Sequence, residues 1–317
     1  MAVYTQVSIE EASAFLSHYP LGKLITLQGI AEGVENSNYL LTTECGKAIL
    51  TLFEKRVSAD DLPFFMALTR HLSKQGIPCP APLEDDQGVT IGELAGRPAC
   101  VITFLEGNWP RKVEEHHLKP LGEMLARMHL AVQDFSLSRA NPLALAGWKR
   151  LHQASGARLA EIEPDLPRLV AEEMAWLEAH WPRNLPQGVI HADLFPDNVF
   201  FQDKTLSGVI DFYFACTDFF AYDLAICLNS WCFVKEPAGW VLNDDFVDLL
   251  IEGYVSVRPW EEEERRHLLT LCRGAAMRFL MTRAYDWLNV PPGALVTPHD
   301  PLDYAARLRI WREKEPL

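Results

Sequence analysis

The sequence predicts an α+β protein of two lobes, a small β-rich N-terminal lobe over residues 1–104 and a larger, mainly helical lobe over 105–317. Three observations carry that reading. At 317 residues the chain exceeds the size at which one hydrophobic core usually stops growing. Short apolar runs parted by glycine-containing turns fill the first third, whereas helical periodicity governs the rest. The two regimes meet around residues 103–107.

The elements follow in order. Residues 23–29, 37–43 and 48–53 read as successive strands. Residues 59–74 read as a helix with Leu62, Phe65, Met66, Leu68 and Leu72 apolar and Gly76 at its end. Pro78, Pro80 and Pro82 force an extended connection, and residues 91–94 and 99–104 make a second strand pair. Helices are expected over 118–132, 145–160, 166–180, 222–234, 244–255, 259–288 and 303–313. Residues 189–190 run as a short apolar strand into a polar loop, 199–201 leave it and 206–210 lead back, which reads as a hairpin with polar side chains at one rim. No internal repeat or low-complexity tract is present, and residues 294–301 are the expected mobile loop.

The polar loop carries the most specific signal. His191-Ala192-Asp193-Leu194-Phe195-Pro196-Asp197-Asn198 is followed by Ile210-Asp211-Phe212, with Asn198 five residues after Asp193 and Asp211 thirteen after Asn198. Phosphoryl-transfer sites of the H-x-D-x-x-x-x-N type use the first Asp to orient an acceptor hydroxyl and the Asn and later Asp to hold Mg²⁺. Asp193 can hydrogen-bond an alcohol and hold it in line with the γ-phosphate of ATP. Asn198 supplies a neutral oxygen and Asp211 a charged one, which suits a hard cation. Asp-Pro-Asn segments also serve simply as turns, and Asp197 reads as a turn former. The Ile-Asp-Phe at the right distance, between strand-like runs, separates the two readings.

Bulk properties narrow the class. A hydrophobic content of 49 % with 23 % charged residues is ordinary globular composition. No apolar run reaches membrane-spanning length, and residues 1–11 lack the basic and apolar regions of a secretory leader. Seven scattered cysteines with no C-x-x-C read as reduced core thiols. A cytoplasmic location is expected. The net charge of −14 argues against nucleic acid or an anionic membrane as partner. It suits a cationic or zwitterionic small substrate, and equally a role in solubility alone.

The plan and motifs resemble the aminoglycoside phosphotransferase/choline kinase family of small-molecule kinases, which shares the protein-kinase-like fold. The likeness runs over nearly the full length. It rests on Gly33-Val34-Glu35-Asn36-Ser37-Asn38-Tyr39, Leu50-Thr51-Leu52-Phe53-Glu54-Lys55, and the stretch from His191 to Asn198. It also rests on Gly208-Val209-Ile210-Asp211-Phe212-Tyr213-Phe214-Ala215, Tyr222-Asp223-Leu224-Ala225-Ile226 and Asn229-Ser230-Trp231. Within that family the stretch from Tyr213 to Trp231, together with Arg278-Phe279-Leu280 and Arg283-Ala284-Tyr285-Asp286, looks most like the homoserine kinases. The resemblance implies ATP and Mg²⁺ as cofactors and transfer of a phosphoryl group to homoserine, on the way to threonine. An aminoglycoside, choline or another amino alcohol is the alternative acceptor. Asp211-Phe212 is followed by Tyr213 rather than Gly, and no A-P-E segment follows, which sets the chain apart from protein kinases.

The resemblance also implies that His191 braces the loop and that Asp223 supports it, though Asp223 reads as a helix N-cap as well. Residues 29–38, with Gly33 and Asn38, are the expected phosphate-covering turn, although one Gly between strands is commonly just a hairpin. Residues 103–107, with Thr103 and Leu105, are expected to meet adenine through backbone groups. One position departs from the family pattern. Thr51 stands where relatives carry the strand Lys or Arg, and Phe64 or Phe65 where its helix Glu belongs. Lys55, four residues on, keeps the same strand face but lies about 13 Å away. For the acceptor, Arg278 or Arg283 can take a carboxylate through a planar guanidinium, with Arg273 a further candidate. Asp218 is a candidate partner for an ammonium group. Tyr213, Trp231 and Asn229 are candidate pocket walls, although aromatic residues in an apolar helix are more often core.

Overall fold

The computed structural model describes residues 4–30, 36–54, 58–290 and 298–315. The chain divides into two compact units. The first takes Met1–Asn108 with Phe200–Gln202 and Ser207–Tyr213, and the second takes Trp109–Val199, Asp203–Leu206 and Phe214–Leu317. The division expected after residue 104 falls here after Asn108, and two short returns from the motif region join the first unit.

The first unit opens with helix α1 (Ile9–Leu16), which the strand-and-helix reading passed over. Its start is a capping box: Ser8 Oγ accepts from the Glu11 N–H at 3.1 Å, and Glu11 accepts from the Ser8 N–H at 2.8 Å. Strands β1 (Leu24–Gly29), β2 (Ser37–Thr43) and β3 (Gly46–Leu52) follow, then helix α2 (Leu62–Lys74) and strands β4 (Gly92–Leu94) and β5 (Arg97–Thr103). They form one antiparallel sheet in the order β1-β2-β3-β5-β4, with Asn38 opposite Thr51 and Thr51 opposite Cys100. Alternation along β2 and β3 sends Tyr39, Leu41, Ala48 and Leu50 into a core shared with Ala12, Leu16 and Tyr19. The proline-rich connection is extended, as its prolines require. Leu83 donates its N–H to the Val101 carbonyl and Thr103 to that of Ala81, so this segment runs beside β5.

The second unit is mostly helical: α3 (Glu115–Ala131), α4 (Leu145–Ser155), α5 (Leu166–His180), then strand β6 (Gln187–Ile190); strands β7 (Val199–Gln202) and β8 (Thr205–Val209) fall largely in the first unit, and β9 (Cys216–Phe219) returns to the second. After these come α6 (Phe220–Trp231), the hairpin of β10 (Phe233–Glu236) and β11 (Gly239–Leu242), and helices α7 (Asp244–Val257), α8 (Glu262–Leu288) and α9 (Leu302–Glu313). β7 and β8 pair as expected, but β6 pairs with β9, through Val189 opposite Thr217 and Ile190 opposite Cys216. The loop from His191 to Asn198 therefore leaves a sheet closed by the segment before α6. The helix expected over 222–234 stops at Trp231, because the chain turns into β10–β11, where Gly239 at φ +132° follows Pro237.

α8 is the axis of this unit and packs against α4, α5, α6 and α9. α3 and α7 cross at backbone distance. A Cβ on Gly122 would stand 2.2 Å from the Leu250 carbonyl oxygen, and one on Gly253 would stand 2.2 Å from that of Lys119. Of the seven cysteines six are buried and Cys45 is exposed. No helix among the described residues is long and apolar enough to cross a membrane.

Candidate active site

In the second unit the loop after β6 is fixed from three sides. Its floor is Asp223, fully buried in the first turn of α6. The carboxylate accepts the backbone N–H of His191 at 2.8 Å through Oδ2 and that of Ala192 at 2.8 Å through Oδ1. Asp223 thus braces the loop, and no bond from its side chain caps α6. Ala192 holds φ +64°, a left-handed conformation that costs a non-glycine residue about 1–2 kcal/mol. It is clamped at both ends, since its carbonyl accepts from Arg278 Nη1. From the α6 side, Trp231 Nε1 donates to the Leu194 carbonyl at 2.8 Å and Ser230 Oγ to the same oxygen at 3.3 Å.

Within the loop, the Asp193 N–H donates to His191 Nδ1 at 3.2 Å, and Asn198 Nδ2 donates to the Asp193 carbonyl at 2.8 Å. His191 is 3 % exposed, which fits a bracing part, whereas the Asp193 side chain keeps 19 % exposure. Asp193 Oδ1 lies 3.9 Å from Arg278 Nη2. The Asn198 amide nitrogen is engaged by the Asp193 carbonyl, which leaves its amide oxygen as the hard donor of this loop. Asp211, which belongs to the first unit, also holds a left-handed φ of +63°.

Behind Asp223 runs a buried chain of hydrogen bonds that no motif announced. His129 of α3 meets Asp223 Oδ2 through Nε2 at 3.1 Å and the Tyr254 hydroxyl of α7 through Nδ1 at 2.8 Å. Arg258 donates to that hydroxyl at 3.1 Å and is itself gripped by Glu264 at 3.0–3.2 Å. The donors line up one way, Arg258 to Tyr254 to His129 to Asp223, which assigns the proton of a neutral imidazole to Nε2. Burial holds the His129 pKa down against the pull of Asp223. Burial alone would raise the Asp223 carboxyl, but the hydrogen bonds from His129 and the loop outweigh it and the net direction is down. A charged Asp223 facing a neutral His129 is the stable state. A lone His in an apolar helix carries no sequence signal of this role.

The acceptor-side candidates separate. Arg278 is 2 % exposed and held between Ala192 and Asp193. Arg283 reaches the Asp300 carbonyl at 3.3 Å and Asp303 at 3.8 Å. Arg273 is bound by Glu173 at 2.6 and 2.7 Å and stacks on Trp176, so it is structural. Trp231 is 1 % exposed with its indole bonded to Leu194, which corrects its part as a pocket wall: it supports the loop from inside the core. Asn229 is corrected likewise, since its amide joins the carbonyls of Ala225 and Cys272 and the indole of Trp311. Asp218 accepts from Asn141 Nδ2 at 2.7 Å and from the Phe219 N–H at 2.8 Å, and burial raises its pKa.

In the first unit Thr51 is buried beside Asn38, donating Oγ1 to the Asn38 amide oxygen at 2.8 Å. Phe64 and Phe65 are buried as an edge-on pair, and Tyr213 sets its ring against Phe53 and Phe65. A neutral polar pair and an aromatic cluster thus occupy the positions where the resemblance led to the expectation of an ion pair. Burial raises the Tyr213 hydroxyl pKa well above its ordinary value. The Thr103 hydroxyl accepts the Ala81 N–H at 2.9 Å and the Thr103 N–H donates to the Ala81 carbonyl at 2.9 Å, so Thr103 is tied to the proline-rich connection. Ser207 Oγ of β8 donates to the Glu106 carbonyl of the 103–107 segment at 2.8 Å, and Asn108 just beyond it bridges to Phe201 of β7. Gly33 and Lys55 lie outside the described residues.

Residues 26–260 match the model of the phosphotransferase enzyme family. A homoserine kinase of Chelativorans sp. (strain BNC1) is 55 % identical over 99 % of this chain and 96 % of its own. One from Sinorhizobium fredii (strain NBRC 101917 / NGR234) is 55 % identical over 98 % of this chain and 95 % of its own. Among solved structures, an amicoumacin kinase in complex with AMP-PNP, Ca²⁺ and Ami superposes with a TM-score of 0.69 at 18 % identity, covering 96 % of this chain and 92 % of that one. At that identity the match speaks for the fold, which is the protein-kinase-like one.

Proposed function

The chain belongs to the phosphotransferase enzyme family, and from that premise we propose that it is a kinase of L-homoserine. It moves the γ-phosphoryl group of ATP to the side-chain hydroxyl, giving O-phospho-L-homoserine and ADP for threonine synthesis. The observation that carries this reading is 55 % identity, over nearly the whole chain, to homoserine kinases.

Asp193 is the residue we assign to the acceptor. Its carboxylate hydrogen-bonds the hydroxyl and orients it for attack on the γ-phosphorus. As the new O–P bond forms, the bond from phosphorus to the ADP oxygen breaks and the hydroxyl proton passes to Asp193, then to water. The clamp on Ala192 and the Leu194 bonds keep Asp193 in place without reorganisation at the moment of transfer, which is how a preorganised site lowers a barrier. Asn198 and Asp211 are the oxygen donors we assign to Mg²⁺, on the strength of motif spacing and donor chemistry. When bound, the cation neutralises charge on the β- and γ-phosphate oxygens. Gly33, Asn38, Thr51, Lys55, Thr103 and Leu105 are assigned to the nucleotide, and Tyr213 and Asp218 to the amino-acid side. Both Asp218 oxygens already accept a hydrogen bond, so an ammonium group would have to share them. The working place we propose is the cytoplasm.

The test is ATP consumption by the purified protein with L-homoserine, L-serine, choline and kanamycin at equal concentration. L-Homoserine is expected to support the highest kcat/KM. Preference for any other member of the panel overturns the acceptor.

A further inference from the structure

We infer that Arg283, aided by the hydroxyl of Tyr304, takes the carboxylate of the acceptor, and that this contact sets the preference for an amino acid over a simple amino alcohol. The inference rests on the homoserine reading and chooses among cations that the sequence left equal.

Three arginines of the second unit surround the aromatic side chains next to the catalytic loop. Arg278 is committed to the Ala192 carbonyl and sits beside Asp193. Arg307 is 7 % exposed, donates to the Asn229 carbonyl at 2.8 Å, and lies 4.2 Å over Trp240. Both are tied to backbone carbonyls through their terminal nitrogens, although among the described residues the buried Nε of each has no hydrogen-bond partner. Arg283 is different. Its side chain is 17 % exposed and its contacts are long, 3.3 Å to the Asp300 carbonyl and 3.8 Å to Asp303 Oδ2. Asp303 is itself shared, with its Oδ1 accepting from the Trp240 indole at 2.8 Å and from Lys235 at 3.4 Å. A planar guanidinium with such loose partners has capacity for a bidentate carboxylate.

Tyr304 supplies the independent sign. It is fully buried, and among the described residues its hydroxyl has no hydrogen-bond partner. A buried hydroxyl left that way costs about 1–3 kcal/mol, a cost that an acceptor from a ligand removes. The guanidiniums of Arg283 and Arg307 both lie 4.6 Å from the Tyr304 ring centre, two cations about one phenol. Burial and the Arg307 charge both work against the charge on Arg283, so an added anion is favoured there. The site is also close to the chemistry. Tyr304 packs on Phe279 at 5.1 Å, Phe279 packs on Phe195 of the catalytic loop at 4.9 Å, and the Arg278 guanidinium that faces Asp193 lies 4.6 Å from the same Phe279 ring. The Asp193 charge is felt at both Arg283 and Tyr304.

The experiment deletes the contact from each side in turn. kcat/KM is measured for L-homoserine and for 3-amino-1-propanol, the same molecule without its carboxylate, in wild type, Arg283→Gln, Arg283→Lys and Tyr304→Phe. Losing a charge-assisted contact corresponds to a loss of about 10- to 100-fold. Arg283→Gln is expected to lower the homoserine value by that factor, mainly through KM, and the aminopropanol value by much less, so that the ratio between acceptors collapses. The KM for ATP stays put, Arg283→Lys recovers part of the ratio, and Tyr304→Phe gives a smaller loss of the same kind. Thermal unfolding checks each variant, and should Arg283→Gln not fold, Arg283→Lys is read for a smaller fall in the same ratio. Equal losses on the two acceptors, or none, overturn the inference while leaving the homoserine reading intact. A wild type that ignores L-homoserine overturns both.

Discussion

At the residue scale, Asp193 and Asp223 divide the work of the loop: one is the residue we propose for the acceptor, the other fixes the backbone beneath it. Asp193→Asn keeps the volume and removes the charge. It is expected to lower kcat about 10²- to 10⁴-fold with little change in stability, since its side chain keeps 19 % exposure. Homoserine turnover at the wild-type rate would contradict the assignment. Asp223→Ala should instead unsettle the fold, because two backbone N–H groups and the His129 imidazole lose a buried charged partner. A loss of about 3 kcal/mol or more is expected in urea unfolding, and an unchanged midpoint would show that the loop is held by other means. Asp193, Asn198 and Asp211 stood out in the sequence because phosphoryl-transfer motifs carry those side chains at fixed intervals, and their assignment to acceptor and Mg²⁺ is the reading we propose. Trp231 and Asn229 were not, since an indole that bonds inward and one that lines a pocket look alike in a sequence.

At the element scale, the crossing of α3 and α7 ties packing to the site. Gly122 and Gly253 let two backbones touch, and that approach brings His129 of one helix against Tyr254 of the other. Gly122→Ala pushes a methyl group into the Leu250 carbonyl and should cost about 1–3 kcal/mol, read as a lower midpoint in urea. An unchanged midpoint would mean the helices part without penalty. Most helices were legible from their periodicity, which survives any tertiary context. α1 was passed over although Ser8 and Glu11 spell its capping box, and the β6–β9 pairing was not legible because nothing local chooses between two nearby strand partners.

At the scale of the whole molecule, the buried relay makes stability depend on pH. His129 is held neutral, with a folded pKa below its ordinary 6.5. Below about that pH the unfolded chain binds the proton first, so stability is full above it and falls as the pH drops toward the folded value. Asp223, lowered from 3.8, acts with the same sign in stronger acid. The melting temperature should therefore decline from about pH 7 to pH 5.5, and His129→Gln, less stable throughout, should show a flatter decline. Parallel profiles would remove His129 from the account. The two-part plan was legible from the change of period near residue 105. The return of residues 200–202 and 207–213 to the first unit was not, because it depends on contacts such as Asn108 with Phe201 and Val209 with Pro78. Transfer of phosphate to the hydroxyl of L-homoserine is read out by ³¹P NMR of a reaction containing ATP, Mg²⁺ and L-homoserine. One phosphomonoester resonance, growing in step with ADP and absent with Asp193→Asn, is the predicted result. Inorganic phosphate alone, or ADP formation indifferent to L-homoserine, would contradict it.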